Sequence, residues 1–125
     1  EAIGDSGIRI CMENSKTYFD FQKQALDLLL ESPVFGLTID IGHNECAGCV
    51  DEAFILENRD RLHHMHMHDV RNSKNDHLAL GEGTLNIEKF LSLAKQQDCS
   101  VVLETKTVEG LKKSVEWIKT AGFLG

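Results

Sequence analysis

Residues 61–69 read Arg61-Leu62-His63-His64-Met65-His66-Met67-His68-Asp69, with apolar and imidazole side chains alternating along most of the stretch. A period of two belongs to a β-strand, whose successive side chains point to opposite faces of a sheet. The alternation groups His64, His66 and His68 on one face and His63, Met65 and Met67 on the other. Methionine favours packed surroundings, so its face is expected against covering helices and the His64/His66/His68 face is expected to look inward.

Outward from this stretch, short apolar runs alternate with amphipathic ones. Upstream, Gly36 to Ile41 (GLTIDI) reads as a strand, with helical residues from about Gly48 to Asn58 between it and the histidines. Before it, Gly7 to Glu13 (GIRICME) reads as the first strand. A helix then opens at Asn14-Ser15 and runs to about Glu31, with Phe21, Ala25, Leu28 and Leu29 on one face and Ser32-Pro33 as its stop. Downstream, a polar loop from Asp69 to Thr84 leads to a helix capped by Asn86, in which Ile87, Phe90, Leu91 and Ala94 fall at helical spacing. Ser100 to Glu104 (SVVLE) is the fourth strand. Thr107 opens the last helix, where Val108, Leu111, Val115 and Ile118 face one way and Gly122 closes. Four strand–helix units in succession predict an α/β fold with parallel strands, either a doubly wound sandwich or part of a (β/α)8 barrel.

The chain has 125 residues, 42% hydrophobic and 26% charged, which fits one ordinary globular domain over residues 1–125. Thirteen basic against twenty acidic residues give a net charge of −7, which argues against broad electrostatic binding to nucleic acid or an anionic membrane. No apolar run reaches the roughly 18 residues of a membrane span, and no signal peptide is read, so a cytoplasmic location is expected. Among four cysteines only Cys46 and Cys49 lie close in sequence. A single C-x-x-C lacks the partners of a closed zinc site, and both are read as ordinary thiols.

Each strand ends in a residue able to bind a divalent cation. Glu13 ends the first; Asp40, followed by His43, ends the second; His64, His66 and His68, then Asp69, end the third; Glu104 ends the fourth. Parallel strands bring these ends together, and a mixed oxygen/nitrogen donor set suits Mn, Co, Mg, Fe or Zn. Gly81-Glu82-Gly83 lacks the Lys and Ser/Thr of a phosphate loop and is read as a tight turn.

The segments ICMEN, LTIDIGH, HMHD, DHLALGEGTLN and VVLET, in this order and spacing, resemble the second half of the xylose-isomerase-like TIM-barrel superfamily. That superfamily contains sugar-phosphate isomerases and epimerases and the family-2 AP endonucleases. The resemblance implies four consecutive βα units forming the C-terminal half of a (β/α)8 barrel. It implies Glu13, Asp40, His66 and Glu104 as ligands of one divalent ion (Mn, Co, Mg or Zn), and Glu13 and Glu104 as the catalytic pair. These two carboxylates would remove and return a proton next to a carbonyl, through a metal-stabilised enediolate. His43 and His68 are the expected substrate contacts, with Arg71 orienting a hydroxyl or phosphate. The expected substrate is a sugar or sugar phosphate.

Two other readings stand beside this one, an endonuclease IV-like hydrolase of abasic DNA and a non-catalytic metal-binding fragment. In the endonucleases the histidine matching His77 binds a third metal with an aspartate two residues earlier. Here that position is Asn75, with Asp76 adjacent. A full barrel takes roughly 250 residues, twice this length, so the four-stranded sheet is expected to have two open edges and to self-associate through its open face.

Overall fold

A computed structural model of the chain describes residues 3, 6–15 and 17–124, leaving aside the side chain of Asn75. Strands β1 (Ile10–Glu13), β2 (Phe35–Asp40), β3 (Leu62–Met67) and β6 (Ser100–Leu103) form one parallel sheet in the order β1-β2-β3-β6. Between them lie α1 (Asp20–Leu30), the short helices α2 (Ile41–Cys46) and α3 (Glu52–Glu57), a 3-10 turn (Arg59–Arg61), and α4 (Ile87–Gln96). Helix α5 (Val108–Thr120) follows β6. The order equals the chain order, as in a barrel wall, and excludes the strand reversal of a doubly wound sheet.

The sheet is two-faced. Leu37, Ile39, Leu62, Met65 and Met67 are buried against the helices together with Ile41, Ile55, Ile87 and Phe90. Thr38, Asp40, His64 and His66 line the other face, with Thr38 paired to His64 and Asp40 to His66 in register. Burying each large apolar side chain contributes about 1.5–3 kcal/mol, so the methionine alternation carries much of the strand's placement. His63 departs from its expected side. The register slips between Leu37 and Thr38, so β3 gains a residue there. His63 consequently sits beside Gly36, where a Cβ would come within 2.5 Å of its Cδ2.

Several elements differ from the sequence expectation for identifiable reasons. Helix α2 starts at once after β2, because the Asp40 side chain accepts the His43 N–H at 2.7 Å and caps it. Gly48 and Cys49, at φ +77° and +58°, separate it from α3, so the helix expected over 48–58 is two short ones. Asn14 does not open α1. Its side chain accepts the Asp40 N–H at 2.7 Å and donates to the Asp40 carbonyl at 3.1 Å. Helix α1 begins six residues later at Asp20, where the Gln22 side chain reaches back to the Phe19 N–H. It buries Leu26 and Leu30 and leaves Phe21 and Leu28 exposed, because the run Leu26-Asp27-Leu28-Leu29-Leu30 offers apolar groups on every side. In α5, Ile118 is buried as expected, whereas Val108 and Leu111 are exposed. Helix α4 buries Ile87, Phe90, Leu91 and Ala94 as the spacing requires.

The expected loop 69–84 contains a hairpin, β4 (Asp69–Arg71) and β5 (Asn75–Leu78), turned by Asn72 and Ser73 in the left-handed region. Asp69, one of the expected strand-end donors, is its anchor. It is buried, and its carboxylate accepts the N–H groups of Val70, Gly81, Gly83 and Leu85 at 2.8–3.1 Å. The Gly81–Gly83 turn is tight as expected, and a Cβ on Gly83 would collide with Asp69 Oδ1 and the Val70 carbonyl.

Among the described residues β1 and β6 each pair on one side only, and Ile10, Met12 and Val102 on them are substantially exposed. Among these residues no helix is long and apolar enough to cross a membrane.

Candidate metal centre

Parallel strands end together, and the carboxyl end of this sheet gathers the expected residues. Glu13 closes β1, Asp40 closes β2, His66 lies near the end of β3, and Glu104 follows β6, its N–H bonded to the Met67 carbonyl at 3.0 Å. His66 Nδ1 stands 3.3 Å from Glu13 Oε1, 3.4 Å from Glu104 Oε1 and 3.9 Å from Asp40 Oδ2. His43, in the first turn of α2, brings its Nδ1 to 3.3 Å from Asp40 Oδ2 and 3.8 Å from Glu13 Oε1.

This donor set fits a divalent cation. Asp40 Oδ2 and His66 Nδ1 are buried and, among the described residues, have no hydrogen-bond partner. Buried polar atoms ordinarily have one, so two such atoms facing each other across a carboxylate cluster call for a bound group. Donors bonded at about 2.0–2.2 Å to one ion lie about 3–3.6 Å apart, close to the spacing found around His66 Nδ1. Three carboxylates around one imidazole also carry an excess of negative charge that a cation offsets.

Asp40 is the best-held member. Burial alone would raise its carboxyl, but the His68 imidazole 3.1 Å away, the hydrogen bond from the His43 N–H and the fields of both rings hold it below the usual range. His68, expected to touch substrate, lies beneath the cluster instead. It is fully buried, its Nε2 3.1 Å from Asp40 Oδ1 and its Nδ1 accepting the His77 N–H at 2.9 Å. The reason is the strand's end. β3 stops at Met67, so His68 leaves the alternation and turns under α2. Arg71 also stands outside the cluster, exposed, with its guanidinium on the Glu82 carbonyl.

His77 Nε2 is 3.7 Å from Glu104 Oε2, and its ring stacks on His68 at 4.1 Å. The imidazoles of His43, His68 and His77 form a second cluster of donors. There His68 Nδ1 is committed to a backbone N–H, and His77 Nδ1 faces Asp76 at 3.1 Å. The His77 and Lys106 side chains hold Asp76 well below the usual carboxylate range. Cys46 and Cys49 are free and exposed. Burial, then neighbouring carboxylates, raises both thiols, which is the opposite of a reactive thiolate's surroundings. An open depression of about 340 Å³ beside His43 is lined by Ser15, Thr17, Cys46 and Ala47.

The sequence matches the xylose isomerase-like TIM barrel family over residues 1–121, and the chain belongs to that family. Two uncharacterized proteins of Methanocaldococcus jannaschii are similar. MJ1311 is 30% identical over a 131-residue alignment, covering 95% of this chain and 44% of that protein. MJ1614 is 25% identical, covering 90% of this chain and 46% of that protein. The crystal structure of a D-tagatose 3-epimerase-like protein superposes with a TM-score of 0.71 at 28% identity, over 94% of this chain and 48% of the other. A sugar phosphate isomerase/epimerase from Parabacteroides distasonis has a TM-score of 0.61 at 16% identity over 94% and 43%, a likeness of fold. The chain spans about half the length of each of these relatives. The fold is therefore α/β, a parallel four-stranded part of a (β/α)8 barrel.

Proposed function

We propose that this chain is one domain, the C-terminal half of such a barrel, and carries the metal-binding and proton-transfer residues of a sugar or sugar-phosphate isomerase or epimerase. The observation that carries this reading is the convergence of Glu13, Asp40, His66 and Glu104 around the orphaned Asp40 Oδ2 and His66 Nδ1. These four residues hold a divalent cation, Mn, Co, Mg or Zn. When bound, the cation supplies Lewis-acid stabilisation of negative charge developing on substrate oxygens. Asp40 keeps its carboxylate ionised and has no proton to offer. Glu13 and Glu104 come from the two edge strands and approach His66 from either side, so they flank a substrate held between them. One takes the proton from the carbon next to the carbonyl and the other returns a proton to it. His43, lining the depression, is the substrate contact in place of His68 and Arg71.

The hydrolase reading needs further metal at His43 and His77. The commitment of His68 Nδ1, the pairing of His77 with Asp76 and the net charge of −7 favour the single-cation reading. The four free cysteines fit a reducing compartment such as the cytoplasm. The test is a panel of ketoses, aldoses and their phosphates given in D2O to the Mn- or Co-loaded chain. Deuterium entering one substrate beside its carbonyl is expected. Exchange with none, while the cation is bound, rejects the catalytic reading in favour of a metal-binding fragment, and cleavage of abasic DNA instead favours the hydrolase.

The edges of β1 and β6, unpaired among the described residues, and the exposed Ile10, Met12 and Val102 support self-association of this chain, since a second four-stranded half would pair both edges. Sedimentation is expected to show a concentration-dependent dimer. A monodisperse monomer at high concentration rules it out.

A further inference from the structure

We propose that His68, which lies outside the four expected ligands, is the positioning residue that fixes Asp40 and thereby sets the affinity and geometry of the cation site; this rests on the reading that Asp40 helps to hold a cation. His68 Nδ1 accepts the backbone N–H of His77 at 2.9 Å. A backbone N–H can only donate, so Nδ1 carries a lone pair and the neutral ring bears its proton on Nε2. That nitrogen lies 3.1 Å from Asp40 Oδ1, a close polar contact whose N–H does not point along a hydrogen-bond axis. Oδ1 accepts the His43 N–H at 2.7 Å. Oδ1 is thus held by the His43 N–H and flanked by the His68 ring, and the carboxylate plane is set so that Oδ2 faces His43 and His66.

The ring has little freedom to move. Gly42 leaves room for it, since a Cβ at that position would fall inside the imidazole itself. His77 stacks on it at 4.1 Å with planes 5° apart, and His43 meets it edge-on at 5.7 Å. Asn14 clamps the Asp40 backbone through its N–H and carbonyl. Asp40 is therefore oriented through its main chain by the loop after β1 and through its side chain by His68, which ties it to the β4–β5 hairpin. A group that orients a ligand carboxylate in this way typically governs metal affinity 10- to about 100-fold.

The test is Co2+ binding to the full chain, read as affinity by calorimetry and as the visible absorption of bound Co2+. The series is wild type, His68→Gln, His68→Leu, Gly42→Ala and the ligand control Asp40→Asn. Glutamine keeps an N–H donor of similar reach, whereas leucine removes it and alanine at 42 displaces the ring. His68→Leu and Gly42→Ala are expected to weaken Co2+ about 10- to 100-fold and to alter the spectrum, with His68→Gln recovering part of both. A role in fold stability alone would lower the melting temperature and leave the spectrum of bound Co2+ unchanged. Wild-type affinity and spectrum in His68→Leu and Gly42→Ala overturn the proposal. If His68→Leu does not fold, His68→Gln against Gly42→Ala decides it. A wild-type chain that takes up no more Co2+ than Asp40→Asn overturns the cation site itself, a result distinct from loss of the His68 effect alone.

Discussion

Replacing Glu104 or Glu13 by glutamine is expected to lower solvent proton exchange into the substrate by about 10²–10⁴-fold while leaving the fold intact. The two carboxylates reach the same His66 nitrogen at 3.4 and 3.3 Å from opposite edges of the sheet. Each side chain is about one-third exposed (33%), enough to meet a substrate while remaining directed into the cluster. Glutamine preserves size and reach but can neither take nor deliver the proton, and it weakens the negative field at the cation. Measuring cation affinity beside exchange separates the two effects. The assignment requires each variant to retain a bound cation, at lowered affinity, with exchange all but lost. Wild-type exchange in both variants would reject it. Unchanged exchange in one alone would assign both transfers to the other.

The second large effect concerns stability. Asp69→Ala is expected to cost about 3–5 kcal/mol in urea unfolding, a large share of what a domain of this size has to lose. The Asp69 carboxylate accepts four backbone N–H groups, and those of Gly81, Gly83 and Leu85 come from the turn leading into α4. Truncation leaves several of these donors without an acceptor in a place that water does not reach freely, and each such group costs about 1–3 kcal/mol. Gly83→Ala should act in the same direction, because its Cβ would collide with Asp69 Oδ1 and the Val70 carbonyl. A change under about 1 kcal/mol for Asp69→Ala contradicts this role.

The strand ends were legible in the sequence because two regularities coincide there. Period-two alternation locates the strands, and parallel pairing brings their carboxyl ends to one place, so Glu13, Asp40, the face of His64, His66 and His68, and Glu104 could be grouped from the sequence, while His66 was singled out of the three only by the resemblance to the xylose-isomerase-like barrels. Met65 and Met67 against the helices follow from the same alternation. His63 did not obey it, because a bulge depends on the partner strand and leaves no local signal. His68 and Asp69 were legible as polar strand-end residues, but their partners are the N–H groups of residues nine to sixteen positions away along the chain, brought close by a hairpin that looked like a polar loop. Helix α2 was hidden for a related reason. It is six residues long and begins on the capping carboxylate of Asp40, the same side chain expected as a ligand. Asn14 looked like a helix cap and is instead the clamp on the Asp40 backbone. Short-range chemistry was thus readable where it repeats with a period, and it was lost where one polar group serves a distant backbone.

The most direct test of the central claim is native mass spectrometry of the purified chain with added Mn2+ or Co2+, run beside Asp40→Asn. One divalent ion per wild-type chain, lost or greatly weakened in Asp40→Asn, is the result predicted by convergence on Asp40 Oδ2 and His66 Nδ1. A wild-type chain that binds no ion, or binds ions just as Asp40→Asn does, would contradict it.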